Sequence, residues 1–377
     1  MLDRRGGASG PSPGMAVTDR HPTASRGSPA GTGPDVLLVS LGTTLGWRIA
    51  DRLFLEQLER AGASTAAVAV RFGWTGRLRR AYPVNDLVEM TAARRALRTA
   101  LRRRPPRAVV FSSTTAAMLA PRLDVPHAVR LDAPARLNRP GRRNSVLHAL
   151  ERRALRRARI VLPWSRAAAE ALPADAAGAV VLPPPIEPSG PSAEQRDPLA
   201  VAYVPDPKAK GLDLLVAAWA AAGVDARLRV FGIDPAWARL HLARMGVPEP
   251  PTVEWPGMVS AGEFRSAVRR ARVFAAAARW EDFGQAPLEA LADGALLATV
   301  PSPGPFEALR FARELEPELV AESSRPEALA RAIRRAFELP DDRVRDYRRR
   351  AAALLRPYGP EAVQQTVSRD VIPALVA

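Results

Sequence analysis

Two glutamates eight positions apart, Glu281 and Glu289, stand in the run EDFGQAPLEALADG. One carboxylate in a loop and one a turn into the following helix can accept hydrogen bonds from paired hydroxyls, such as those of a sugar and a ribose. Gly284 between them permits close approach of the backbone to a ligand. The free N–H groups at the start of the helix suit an anion such as a phosphate. A second group of candidates lies upstream, where Lys208 and Lys210, the only two lysines of the chain, share the run YVPDPKAKGLDLLVAAW. A third is the loop SLGTTLG over 40–46, with Gly42, Thr43, Thr44 and Gly46 between a strand and a helix. No G-x-G-x-x-G occurs, which argues against a dinucleotide site. Cysteine is absent, the four histidines are scattered and no Asp-x-Asp triplet occurs, so no metal site is expected.

The elements that must position these groups alternate along the chain. β-Rich runs predict strands over 36–40, 66–70, 108–112, 128–131, 160–163 and 180–182. Helical stretches separate several of them, most clearly 47–61 and 86–104, where Leu87, Met90, Leu97 and Leu101 fall on one apolar stripe. Six prolines with polar filler over 183–198 predict a linker. Strands are then expected over 200–204, 228–231, 252–255, 273–276, 296–300 and 319–321, with helices including 212–222, 262–270, 286–293 and 326–339. Such alternation means α/β units with parallel sheets covered on both faces. The expected organisation is a disordered tail over 1–34, a first domain over 35–182, the linker, a second domain over 199–357 and a terminal helix over 358–377 that packs back on the first domain. Two such domains make a cleft between the carboxyl ends of their strands, where ligands of open α/β sheets bind.

The run EDFGQAPLEALADG resembles the E-x7-E signature of GT-B glycosyltransferases of family 4 (glycosyl transferases group 1), with Phe283, Gly284, Leu288, Ala290 and Gly294 also matching. The resemblance implies a GT-B architecture of two Rossmann-like domains facing across a cleft. It implies that Glu281 contacts the donor sugar and Glu289 the donor ribose, with the Phe283–Gly284 backbone near sugar or phosphate. Lys210–Gly211 fits the family's Lys-Gly, whose cation binds the donor diphosphate. Pro205 and Asp206 stand where Gly-Arg is usual, so Lys208 is a candidate for the missing cation. Gly232, in LRVFG, matches the glycine that approaches the nucleobase, and Glu307, in PSPGPFEAL, falls in the Gly-Gly-x-x-Glu region. In the first domain the 40–46 loop matches the place where such enzymes bring backbone amides near phosphate or acceptor. The segment from Val125 holds the place of a His near the reacting sugar; His127 comes early, and Asp132 is the favoured polar residue there, with Arg130 beside it.

The activity implied is metal-independent, anomer-retaining transfer from a nucleotide-sugar donor to a sugar, lipid or other small acceptor, with no cofactor. Catalysis rests on Lys210, Glu281 and Asp132. Other readings are a sugar-nucleotide epimerase, a non-catalytic sugar-nucleotide or glycan-binding relative, and a basic peripheral membrane adaptor.

The net charge of +16 is concentrated: residues 94–159 hold 18 arginines against Asp124, Asp132 and Glu151. Around 147–158, Leu147, Leu150, Ala154 and Ala158 share one helical face, with Arg152, Arg153, Arg156 and Arg157 opposite or flanking. Such a helix is either a solvated face over a packed core or a surface for an anionic membrane. Aromatic interleaving is lacking, which argues against nucleic acid. No apolar run reaches the roughly 18–20 residues of a bilayer span and no signal-peptide core is apparent, so a cytoplasmic location is expected, peripheral on the membrane if the basic helix serves there.

Overall fold

The computed structural model describes residues 33–72, 83–191 and 196–376. The tail expected over 1–34 therefore lies outside the described residues, apart from its last two positions. The chain divides into two compact units, one reaching to Pro184 and resuming at Val363, the other running from Pro185 to Ala362.

In the first unit β1 (Val36–Ser40), β2 (Thr65–Ala69), β3 (Ala108–Phe111), β4 (His127–Leu131) and β5 (Ile160–Pro163) form an all-parallel sheet ordered β2-β1-β3-β4-β5. The helices are α1 (Leu45–Arg60), α2 (Val84–Arg103), α3 (Thr114–Ala117), α4 (Ala135–Asn138), α5 (Ser145–Arg157) and α6 (Arg166–Glu170). Side chains alternate across the strands. Leu37, Val39, Val109, Phe111, Val129 and Val161 pack on one face with Leu97 of α2 and Leu155 of α5. Val36, Leu38, Ala108, Val110, Ile160 and Leu162 pack on the other with Phe54 and Leu58 of α1. Burial on both faces explains why these strands read as unbroken apolar runs.

The second unit repeats the plan. Strands β6 (Asp197–Tyr203), β7 (Arg227–Phe231), β8 (Val253–Gly257), β9 (Ala271–Ala276) and β10 (Leu296–Thr299) form a parallel sheet ordered β10-β9-β6-β7-β8. Around it lie α7 (Leu212–Ala222), α8 (Pro235–Met245), α9 (Ala261–Arg270), α10 (Gln285–Ala292), α11 (Glu307–Leu315), α12 (Pro326–Glu338) and α13 (Asp341–Leu355).

The C-terminal stretch, α14 (Pro360–Thr366) and α15 (Ile372–Val376) around a π-helical turn at Val367–Val371, brings Val363, Val367, Val371 and Leu375 into the first unit's core. Their four-residue repeat overshoots the 3.6-residue α turn, and the wider π turn takes up the excess. The uniform helix expected there is thus interrupted.

Other expectations are corrected. The strands predicted over 180–182 and 319–321 are single parallel bridges, Ala179 to Val161 and Val320 to Thr299. The first stops where Pro183, Pro184 and Pro185 supply no N–H for a ladder. The first part of the proline-rich segment, 183–191, is docked rather than free, while 192–195 lie outside the described residues: Ile186 is buried and its N–H donates to Tyr358 O at 2.8 Å, and Ser189 N–H donates to Asp293 Oδ1 at 2.7 Å. Its last two residues, Asp197 and Pro198, already belong to β6. Leu87 is 54% exposed, off the buried stripe of α2, which runs instead through Val88, Met90, Ala92, Ala93 and Leu97. Hydrophobicity weights Leu87 above the alanines, but a helix close to a sheet needs the small side chains. No described helix is long and apolar enough to cross a membrane.

Candidate functional site

The loop between β6 and α7 is shaped by its own residues. Asp206 Oδ1 accepts the N–H groups of Lys208 and Ala209, both at 2.9 Å, and Lys210 N–H donates to Asp206 O at 3.0 Å. This is an Asx turn, so the Asp206 carboxylate is spent on capping its own loop. Gly211 follows with φ +63°, and a Cβ there would collide with the Ala277 carbonyl oxygen, so glycine is required. Arg279 ties the loop down from the neighbouring strand end. Its guanidinium donates to Lys208 O at 2.9 Å and grips Asp213 through Nη1 at 3.0 Å and Nη2 at 2.6 Å.

This scaffold sets Lys210 against Glu281, Nζ to Oε2 at 2.6 Å, with both side chains more than two-thirds buried. Glu281 lies in the loop between β9 and α10. Its N–H donates to Pro303 O at 3.1 Å, and Gly304, at φ +115°, leaves no room for a Cβ against the Glu281 carbonyl. Burial pushes the Glu281 carboxyl above its ordinary range, and the Lys210 ammonium opposes that rise. Gly284 begins α10 at φ +82°, where a Cβ would strike the Phe306 ring. Pro287 has no N–H, so the first turn of α10 offers the amides of Gln285 and Ala286.

Glu289, one turn into α10, has separate partners. Gln285 Nε2 donates to its Oε1 at 3.0 Å and Arg265 Nη1 lies 3.6 Å from its Oε2. Burial raises its carboxyl as well, countered first by Arg265. Arg265 is itself held by the buried Asp293, Nε to Oδ2 at 2.6 Å, and by Glu187 O at 2.9 Å.

The structure brings Lys210 and Glu281 into direct contact, with Glu289 on the adjoining helix. Lys208 is exposed and its ammonium has no partner among the described residues. The Phe283 side chain is 3% exposed, a core residue, and its carbonyl accepts the Glu307 N–H at 3.2 Å, so neither is offered to a ligand. Gly232, at φ +85° after β7, leaves no space for a Cβ against the Tyr203 ring, 2.7 Å away. Glu307 is buried and accepts from Arg310 Nε and the Tyr358 hydroxyl, both at 2.8 Å, and so holds structure.

Asp132 and the 40–46 loop belong to the first unit. Asp132 is half-buried and accepts the Ala133 N–H at 2.8 Å. Thr44 caps α1 by accepting the Trp47 N–H at 3.2 Å, Gly42 has φ +56°, and Thr43 and Gly46 are exposed. Arg130 is a fully buried cation: Nη1 meets Asp51 Oδ1 at 2.6 Å, Ser40 Oγ donates to Asp51 Oδ2 at 2.5 Å, and the guanidinium lies 4.3 Å from the Phe54 ring centroid. His127 stands at the opposite end of β4, and burial and Arg157 hold its pKa below the usual value.

Arg265 and Arg279 escape a reading by sequence, because single arginines carry no signal in a chain with 55 basic residues, and Asp51 escapes it because its partner Arg130 is 79 residues away. Among the described residues no group of three or more His, Asp or Glu side chains is placed to hold a metal ion.

Comparison with known proteins follows the same division. Residues 196–338 match the family model described as glycosyl transferases group 1. No curated protein sequence matches the chain. Among solved structures, sucrose-phosphate synthase from Thermosynechococcus elongatus superposes with a TM-score of 0.69 at 17% identity, over 90% of this chain and 99% of that one. Anabaena HepE in complex with UDP and glucose superposes at 0.64 and 14% identity, over 90% and 99%. A glycosyltransferase from Rickettsia africae does so at 0.64 and 13%, over 90% and 98%. At these identities the likeness is one of fold. Residues 196–338 are thus similar to glycosyl transferases group 1, in a chain with the two-sheet GT-B fold.

Proposed function

We propose that the chain is a retaining glycosyltransferase that moves a sugar from a nucleotide diphosphate sugar to a small acceptor. The observation that carries this reading is the Lys210–Glu281 pair at 2.6 Å, set beside the Gly284-started helix α10 within the group 1 domain. A donor diphosphate is a stronger partner for Lys210 than one carboxylate, since it offers two charged groups. On binding it draws the ammonium away and leaves Glu281 free to accept hydrogen bonds from sugar hydroxyls. Glu289, held in place by Arg265 and Gln285, is assigned to the ribose hydroxyls. Gln285 and Ala286 amides and Lys208 add positive potential where charge develops on the leaving diphosphate. Charge supplied by the protein in this way supports a mechanism independent of metal. UDP-glucose, bound by HepE, is the first donor to test. Asp132 and the 40–46 loop are assigned to the acceptor.

The non-catalytic reading rested on Asp206 in place of arginine. The Asx turn answers it, because the carboxylate is engaged within its own loop by two amides.

Thermal unfolding with saturating UDP, GDP, ADP and TDP tests the donor site. A ligand at about 100 times its dissociation constant adds roughly 2.7 kcal/mol, a rise of several degrees at about 2–4 °C per kcal/mol. One nucleotide is expected to raise the melting temperature in the native protein and not in Glu289→Ala. No rise with any nucleotide overturns the reading.

A further inference from the structure

The basic stretch of the first unit has a use that the donor site does not absorb. The apolar side of α5 is taken: Leu147 packs with Met90, Met118 and Ala135, while Ala154, Leu155 and Ala158 join the core on the sheet. The helix cannot lay an apolar face into a bilayer while folded here. Its charged side divides in two. Arg152 and Arg156 share Asp175, at 2.7 and 3.8 Å. Glu151 turns inward, accepting the Ala135 N–H at 2.9 Å. Arg153 and Arg157, one turn apart, are left without an acid.

These two arginines line a cavity of about 480 Å³ together with Arg94 of α2 and Arg122 of the loop after α3. None of the four has a hydrogen bond or ion pair among the described residues, and the lining contains no acidic side chain. Met118, Leu119, Leu123 and Leu150 supply an apolar floor, and His127 closes one side. Four like charges around one hollow repel one another, and no described acidic side chain pairs with them. Four guanidinium-bearing side chains around one hollow suit the oxygens of a phosphoryl group, and a space of about 480 Å³ leaves room for the rest of the ligand. The cavity adjoins the amino end of β4, whereas the 40–46 loop follows the carboxyl end of β1 in the same parallel sheet. It is therefore separated from that loop by the length of a strand, on the order of 13 Å.

We propose that Arg94, Arg122, Arg153 and Arg157 form a binding site for a phosphoryl group, carried either by a soluble phosphorylated compound or by a phospholipid headgroup. The apolar floor suits a ligand whose phosphate adjoins a less polar part. Because the arginines are exposed, binding weakens as salt rises.

The test uses the full chain and two variants of α5 that remove equal charge from exposed positions, Arg153→Ser/Arg157→Ser and Arg152→Ser/Arg156→Ser. Inorganic pyrophosphate is titrated while the ring resonances of His127 and His241 are followed by NMR. His241 belongs to the second unit and reports separately on ligand taken up there. In parallel, sedimentation is measured with vesicles of phosphatidic acid in phosphatidylcholine and of phosphatidylcholine alone. A saturable His127 shift weakened at least about tenfold in Arg153→Ser/Arg157→Ser, and little in Arg152→Ser/Arg156→Ser, supports a site for a soluble phosphate. Sedimentation with phosphatidic acid that shows the same variant dependence supports the headgroup as source. Absence of both responses in the native protein, or equal loss in the two variants, overturns the proposal.

Discussion

Lys210 Nζ lies 2.6 Å from Glu281 Oε2, across 71 residues of sequence. The backbone beside each is closely packed, Gly211 against the Ala277 carbonyl and Gly304 against the Glu281 carbonyl, so the pair is set by main chain that has no room for a side chain at either glycine. The proposed role of this ion pair, a cation held on a carboxylate until a diphosphate arrives, is open to direct test.

Lys210→Ala is expected to lower kcat/KM by about 10²–10³, the range for removing one group that stabilises developing charge. Glu281→Gln is expected to act differently, because it frees Lys210 from its partner. Nucleotide affinity should rise or hold while turnover falls. Isothermal titration with the nucleotide, set beside initial rates with the sugar donor, separates the two.

Gly211→Ala is expected to destabilise the protein by about 2 kcal/mol or more. A left-handed conformation costs a non-glycine residue roughly 1–2 kcal/mol, and the Ala277 carbonyl adds a collision that only backbone movement can relieve. A melting temperature within one degree of the native protein would refute this.

The buried carboxyls should appear in the pH dependence of stability. Burial raises Glu281 and Glu289 above the ordinary 4.5. Between 4.5 and the raised values the folded protein holds more protons than the unfolded chain, so these groups favour folding more as pH falls through that window. Glu289→Gln is therefore expected to be more stable than the native protein at about pH 7, and to lose that advantage below the ordinary glutamate value. Denaturant unfolding across the pH range measures both.

In the first unit, Arg130→Ala is expected to cost about 3–5 kcal/mol by stranding Asp51 as a buried charge. The double variant Asp51→Leu/Arg130→Met should recover most of that loss. A double-mutant cycle by urea unfolding gives the coupling directly, and additive losses would show that the ion pair is unimportant.

Much of this molecule is legible in the residue string. The strands at 36–40, 160–163 and 228–231 and the helix at 212–222 follow from local runs of apolar residues, because a strand covered on both faces has no other composition available. The group 1 resemblance was legible too, because Glu281, Gly284 and Glu289 sit within one strand–loop–helix unit whose spacing is local. What tertiary structure alone decided are the long-range partners. That Arg265 serves Glu289, that Arg279 braces the lysine loop and that Leu87 faces outward depend on groups brought together from distant parts of the chain. The arginines divide by the same rule. Charge repeats along α5 without distinction, and only the fold places Asp175 beside Arg152 and Arg156 while leaving Arg153 and Arg157 facing an open hollow. A side chain's type is written in the sequence; whether its charge is spent is settled by which neighbours the packing brings within hydrogen-bonding distance.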